Sequence, residues 1–215
     1  MTYRPEVAAA LSGTTSRQLS YWRSARSDEP LLAPELYKPR SKVSYSFPDV
    51  VALRTFGFLR AQNIPLQRIR KAVKALRVLG GVEHLSQYKL LAVGRDVVWR
   101  ISDAEAVALT GAPGQQVIAQ MVDILAAFRT SKGRQVVPLY EPMPGVQVDP
   151  EVRGGYPVVA GTRVPYDLVA GLLEDGLAPA DVAGFYPSVG PDGAQGAVAF
   201  ARYVRQVDQD TVAAA

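Results

Sequence analysis

The first 79 residues are interrupted so often by proline, glycine and helix-capping residues that they can form only short helices joined by turns. The run Pro5-Glu6-Val7-Ala8-Ala9-Ala10-Leu11 predicts a helix of two or three turns ending at Gly13, because glycine readily takes the left-handed conformation that closes helices. Thr15 can then cap a second helix, accepting from amides near Arg17 and Gln18 that otherwise lack a partner. That helix runs through Leu19 and Trp22 towards Arg26. Only a three-residue turn separates the two. Residues 28–34 read as loop. Residues 36–47, with Lys38, Arg40 and Lys42 around Pro39, suit a short exposed hairpin, a wing. Pro48 fits the start of a third helix with Val50, Leu53 and Gly57 on one stripe, ending near Asn63. From Pro65 a fourth helix carries Leu66, Ile69, Val73 and Leu76 at helical spacing, with Arg68, Arg70, Lys71, Lys74 and Arg77 on its remaining surface; Gly80-Gly81 ends it.

Charge follows the same division. The net charge of +4 conceals 14 Lys and Arg against 5 Asp and Glu in residues 1–79, and 10 against 15 in the remainder. A basic front of that density matches a polyanion, because each phosphate neutralised by Lys or Arg releases condensed counterions. No stretch approaches the roughly 18 uninterrupted apolar residues of a membrane span, and the N-terminus lacks a charged-then-apolar secretory pattern, so a cytoplasmic protein is expected. Cysteine is absent and His84 is the one histidine. Thiolate metal sites, thiol nucleophiles and histidine clusters are thereby removed, and neither metal nor cofactor is expected.

The remainder changes character. Residues 88–93 and 97–101 read as strands about a Gly94-Arg95-Asp96 turn, residues 115–128 as helix, and residues 136–148 as extended connector rich in Val and Pro. From Gly154 the chain reads Gly-Gly-Tyr-Pro-Val-Val-Ala-Gly-Thr-Arg-Val-Pro, two very short strands about an Ala-Gly turn leading into a helix start. Three helices follow: Val169, Leu172 and Leu173 give one apolar face, Val182 and Phe185 a second, Val198, Ala201 and Val204 a third. The expected architecture is mainly α with short β hairpins. Residues 1–80 would form a winged helix-turn-helix, 81–146 a linking or dimerising segment with strands and a helix, and 147–215 a hairpin-plus-three-helix domain.

Enzyme chemistry finds little support. Gly111-Ala112-Pro113-Gly114 lacks the Lys-Ser/Thr ending of a phosphate loop and reads as a turn. Glu174-Asp175 reads as a solvated helix end, and His84 has no acid-nucleophile arrangement near it in sequence. In a helix-turn-helix the second helix enters the major groove and its first side chains meet base edges, which requires short polar or forked donors there. Ser16, Arg17, Gln18 and Ser20 are such residues. Trp22 reads as core, whereas Tyr21 can pack and still offer its hydroxyl.

These residues carry a resemblance. Arg4-Pro5-Glu6-Val7-Ala8, then Gly13-Thr14-Thr15-Ser16-Arg17-Gln18-Leu19, then Tyr21-Trp22 resemble the DNA-binding domain of the MerR superfamily. Leu31-Leu32-Ala33-Pro34 is similar to its loop before the wing, and Tyr45-Ser46-Phe47-Pro48-Asp49-Val50 to its wing exit. The resemblance implies that Arg17, Gln18 and Ser20 face the groove, that Tyr21 touches phosphate, and that Arg40 and Lys42 lie in the wing. Ser20 and Val43 stand where that family usually has arginine, so Arg23, Arg26 and Lys38 would supply charge instead. The run from Gly154 to Pro165, with Gly-Thr-Arg-Val-Pro at its core, resembles family 433 of the domains of unknown function. Long members of that family with a MerR-like front occur as VapB-type antitoxins beside a PIN-domain ribonuclease toxin. The resemblance implies a homodimer that binds double-stranded operator DNA and neutralises such a toxin, whose clustered carboxylates Arg153 or Arg163 could meet through forked hydrogen bonds. Thr162 and Arg163 can equally serve to close the hairpin. Two other functions fit the residues: a small-molecule-responsive regulator with a pocket lined by Tyr88, Trp99 and Phe128, and an interaction module whose basic front meets an acidic protein.

Overall fold

The computed structural model describes residues 2–24, 30–34, 42–79, 89–93, 96–100, 106–109 and 124–213. It is mainly helical with short antiparallel β pairs, as expected. Helix α1 (Pro5–Ser12) ends at Gly13 with φ 73°, and α2 (Ser16–Arg23) follows. Helices α3 (Phe47–Ala61) and α4 (Leu66–Leu79) complete the front. Ser46 and Asp49 cap α3 reciprocally, each side chain accepting from the other's amide, with Pro48 in the first turn. Tyr45 forms an antiparallel bridge with Tyr3 through two main-chain hydrogen bonds of 2.8 and 2.9 Å; residues 35–41, most of the expected wing, lie outside the described residues.

Strands β1 (Lys89–Val93), β2 (Asp96–Arg100) and β3 (Ala106–Ala108) form an antiparallel sheet in that order. The first two were legible; β3 was not. Of the helix expected over residues 115–128, residues 115–123 lie outside the described residues. Residues 124–125 form a turn and Phe128 opens β4 (Phe128–Arg129), which pairs with β5 (Gln135–Val136). The hairpin expected from the Gly154 string is corrected in one respect. Strand β7 (Val158–Val159) pairs chiefly with β6 (Val146–Gln147), from the preceding connector, and meets its expected local partner only through a Val158–Pro165 bridge. Thr162 closes that turn: its Oγ1 donates to Val159 O at 2.8 Å and accepts from Val164 N at 3.0 Å. Helix α5 (Tyr166–Glu174), a 3-10 turn (Pro179–Gly184) and α6 (Pro191–Ala213) follow. Val182 is buried, but Phe185 is 62% exposed, because the 3-10 turn stops at Gly184 before reaching it.

One buried cluster runs from Tyr3 to Val207, and α1 lies at its centre, against α2, α3, α6 and β5. Every residue of α1 from Val7 to Ser12 is buried, which explains the small side chains of the alanine run. Gly57 of α3 is the closest approach: a Cβ there would stand 2.1 Å from Ser12 O. The rear docks through aromatic rings. Tyr3 donates to Gly155 O and lies 5.7 Å from the Tyr156 ring, Tyr156 stacks on Tyr166 at 6.0 Å, and Tyr166 meets Phe200 edge-on at 4.7 Å. Tyr156 Oη and Arg4 Nη2 both donate to Asp167 Oδ2, at 2.9 and 3.3 Å. Gly155, at φ 79°, lies so near the Phe47 ring that a Cβ would be 2.6 Å away, so the Gly-Gly pair is needed for docking as well as for turning.

Arg54 in α3 has no exposed surface. Its Nε donates to Ile124 O at 2.6 Å, Nη1 to Leu11 O, and Nη2 to Ala126 O and Val137 O at 2.7 and 2.8 Å. Its guanidinium also lies 5.1 Å from the centre of the Phe128 ring. Arg54→Met leaves the buried Leu11 carbonyl and the part-buried acceptors around it without their donor and is expected to cost about 2–3 kcal/mol, the scale for a buried acceptor left unsatisfied. Arg54→Lys should recover only part, because an ammonium lacks the planar fork. Urea unfolding of the three proteins measures this, and coincident transitions would refute it.

Burial raises the hydroxyl pKa of Tyr3, Tyr156 and Tyr166 well above the ordinary tyrosine value; for Tyr156, the neighbouring Tyr166 and Asp167 add to the effect. Their contribution is complete below the unfolded tyrosine pKa of about 10 and falls as pH rises beyond it, since the unfolded chain ionises first. Alkaline titration is expected to release these tyrosinates together with the helical circular-dichroism signal in one cooperative step. Smooth ionisation with the helical signal intact would contradict it.

Candidate nucleic-acid interface

The α1–α2 turn is built from main-chain bonds and caps. Gly13 reverses the chain, Thr14 N donates to Ala9 O at 3.1 Å, and the Thr14 hydroxyl lies 2.7 Å from that of Ser12 inside the fold. Thr15 caps α2 as expected: its Oγ1 accepts from Gln18 N at 3.1 Å, while Gln18 Oε1 accepts from Thr15 N at 3.0 Å. Leu19 and Trp22 are the buried residues of α2, and Trp22 meets Phe56 edge-on at 6.1 Å. Helical spacing then turns the opposite side outward. Arg17, Gln18, Ser20 and Tyr21 are exposed, and Ser16 is partly so.

The predicted DNA-contacting residues therefore divide. Ser16, Arg17, Gln18, Ser20 and Tyr21 lie on one short helix, and the Tyr21 ring lies 5.7 Å from the Arg70 guanidinium. Arg23 is partly buried and donates to Tyr45 Oη at 3.3 Å, which ties α2 to the segment leading into α3. Lys42 is exposed in the segment before α3, whereas Lys38, Arg40 and Arg26 lie outside the described residues. At the rear, Arg153 and Arg163 are side by side and exposed: Arg153 Nε donates to Arg163 O at 3.0 Å, and Arg153 itself has φ 54°.

Sequence reasoning missed the β4–β5 hairpin beside α2. Arg134 Nη2 donates to Thr14 O at 2.8 Å and holds the hairpin against the turn that opens the recognition helix. Between them lies an open groove of about 550 Å³, lined on one side by Thr15, Arg17, Gln18 and Tyr21 and on the other by Thr130 to Lys132 and Arg134. Its described lining holds four cations, Arg17, Arg60, Lys132 and Arg134, and no carboxylate. The available signal was local: Arg129, Lys132 and Arg134 crowd into six residues without an acid, around a Lys-Gly turn. Phe128 lies 5.4 Å edge-on from Phe58 and under Gly13; Tyr88 and the Trp99 side chain, which with it were to line a ligand pocket, lie outside what the structure describes.

An exposed polar helix locked behind a capped turn and packed on the helix before it is the arrangement of a helix-turn-helix. Comparison with known proteins gives the finer class. Residues 3–76 match the model of the MerR HTH family regulatory proteins, so the front of the chain carries a MerR-type helix-turn-helix. Residues 146–201 match that of a protein of unknown function, DUF433. Among solved structures, the X-ray crystal structure of Rv2018 from Mycobacterium tuberculosis is 18% identical. The alignment covers 91% of this chain and 96% of that one, with a TM-score of 0.51, a likeness of fold. No curated protein matches the sequence. Among the described residues no helix is long and apolar enough to cross a membrane.

Proposed function

We propose that the chain is the antitoxin of a toxin-antitoxin pair, acting by binding and not by catalysis. Its α2 and wing bind operator DNA, and its rear segment holds and neutralises a PIN-domain ribonuclease. The observation that carries the DNA half is the exposed face of α2, where Arg17, Gln18 and Ser20 project from a helix that its cap and Trp22 hold in place. Two copies related by a two-fold axis would read paired half-sites, since one short helix spans too few bases for specificity. The antitoxin half is supported by the resemblance of the Gly-Thr-Arg-Val-Pro string to that class and by the adjacent, exposed Arg153 and Arg163, which suit a carboxylate-rich partner.

Arg17→Ala is expected to cost about 1–3 kcal/mol on the operator and to relax base preference. Lys42→Ala should weaken all sequences alike and reduce the salt dependence by about one unit. Titrations of an operator duplex and a scrambled one at several salt concentrations separate these effects, and two variants that bind as tightly as the parent would remove this face from DNA. For the toxin half, the ribonuclease encoded beside this chain is expected to co-purify with it and lose RNA cleavage, and paired Arg153→Glu and Arg163→Glu changes should release it. A neighbour that neither co-purifies nor is inhibited leaves a DNA-binding regulator and ends the antitoxin reading.

A further inference from the structure

The β4–β5 hairpin belongs to neither matched segment: it lies after residue 76 and before residue 146. Its tip is rigidly built. Thr130 N donates to Arg134 O at 2.9 Å, Gly133 N to Thr130 O at 2.8 Å, and Arg134 N to Thr130 Oγ1 at 3.1 Å. Gly133 supplies the positive φ of 83° that this turn needs, and a Cβ placed there would meet nothing within 4 Å, so the tip stands in open space. Lys132 is exposed on it, and among the described residues it makes no hydrogen bond or ion pair. The Arg134 bond to Thr14 fixes the distance from this tip to the start of α2, with a groove between them whose described lining holds no carboxylate.

We propose that this hairpin is a second wing: it clamps the DNA sugar-phosphate backbone beside the major groove that α2 enters, with Lys132 as a direct phosphate contact. The proposal rests on the DNA-binding reading of α2 and adds a partner surface to it. Lys132 and Arg17 stand exposed on opposite sides of this groove, and a phosphate strand is a continuous line of negative charge on which each cation releases counterions. The hairpin adds affinity without sequence information, since phosphate contacts position a protein and base contacts specify.

The test uses the full chain and two duplexes, one drawn from the DNA directly upstream of its own reading frame and one of scrambled sequence. Lys132→Ala is expected to weaken binding to both alike and to lower the salt slope by about 0.9, the value for one phosphate on B-DNA. Lys132→Glu should lower it further. The chain has no cysteine, so Lys132→Cys and Arg17→Cys each accept a single iron-chelate cleavage probe. Backbone cleavage from position 132, flanking the bases cut from position 17, is the expected pattern. Normal binding and slope in Lys132→Ala, or a lowered slope without cleavage from 132, overturns the second wing while cleavage from 17 keeps the function. Failure of the unsubstituted chain to bind either duplex overturns the DNA-binding reading, and the second wing with it.

Discussion

The Arg54 guanidinium is the contact on which the arrangement of the interface depends. Burying a cation is costly unless its hydrogen bonds are satisfied, and here the partners are carbonyls from two distant parts of the chain: Leu11, in the last turn of α1, and Ile124, Ala126 and Val137, which bracket the β4–β5 hairpin. The carbonyl of Leu11 belongs to the last turn of a helix, where main-chain acceptors lack intrahelical donors and the helix dipole favours a positive charge. One side chain thus stabilises the end of α1, fixes the hairpin on it, and supports the Phe128 ring under Gly13. The recognition helix begins three residues beyond Gly13, so its starting point is set by the same contact.

Helix α1 extends that logic to the rear. A helix buried on all sides must be covered by several elements, and small side chains let them approach closely. The alanine run meets α3 and α6 together, Tyr203 Oη donates to Ala10 O at 3.1 Å, and Tyr3 and Arg4 reach Gly155 and Asp167 just outside its N-terminus. The helix-turn-helix is therefore built onto the rear segment and is not suspended from it by a linker. The Gly-Gly-Tyr-Pro string is distinctive because it has to fit two things at once, its own turn and the Phe47 ring at the start of α3.

Features set by neighbouring residues were legible in sequence, and features set by distant ones were not. The ends of α1, the Thr15 cap, the start of α3 at Ser46-Pro48 and the β1–β2 pairing all follow from chemistry within four or five residues, as does the inward turn of Trp22. By contrast, β7 pairs with a strand more than ten residues earlier, and Phe185 is outside because a 3-10 turn ends one residue too soon. Arg54 reads in sequence as one more cation of a basic segment, yet it never meets solvent. That Arg17, Gln18 and Ser20 face outward follows from their place at the start of a short capped helix. Arg23, expected beside them, is partly buried and donates to Tyr45, a contact across 22 residues that no local pattern shows.

Charge gives the clearest case of this difference. Counted along the chain, the front carries a surplus of nine positive charges and the rear a deficit of five, 14 against 5 and 10 against 15, which directs attention to residues 1–79 alone. An electrostatic field depends on where charges sit in space, and a cation matters to a polyanion only within roughly a Debye length, about 8–10 Å at ordinary salt. Folding withdraws Arg54 from the front's surplus by burying it and returns Lys132 and Arg134 from the acidic portion by carrying them to the start of α2. The basic surface is thus assembled from both sides of the sequence boundary. The Arg54 and Arg134 bonds that assemble it end on main-chain carbonyls, acceptors that carry no formal charge to oppose the field at the groove.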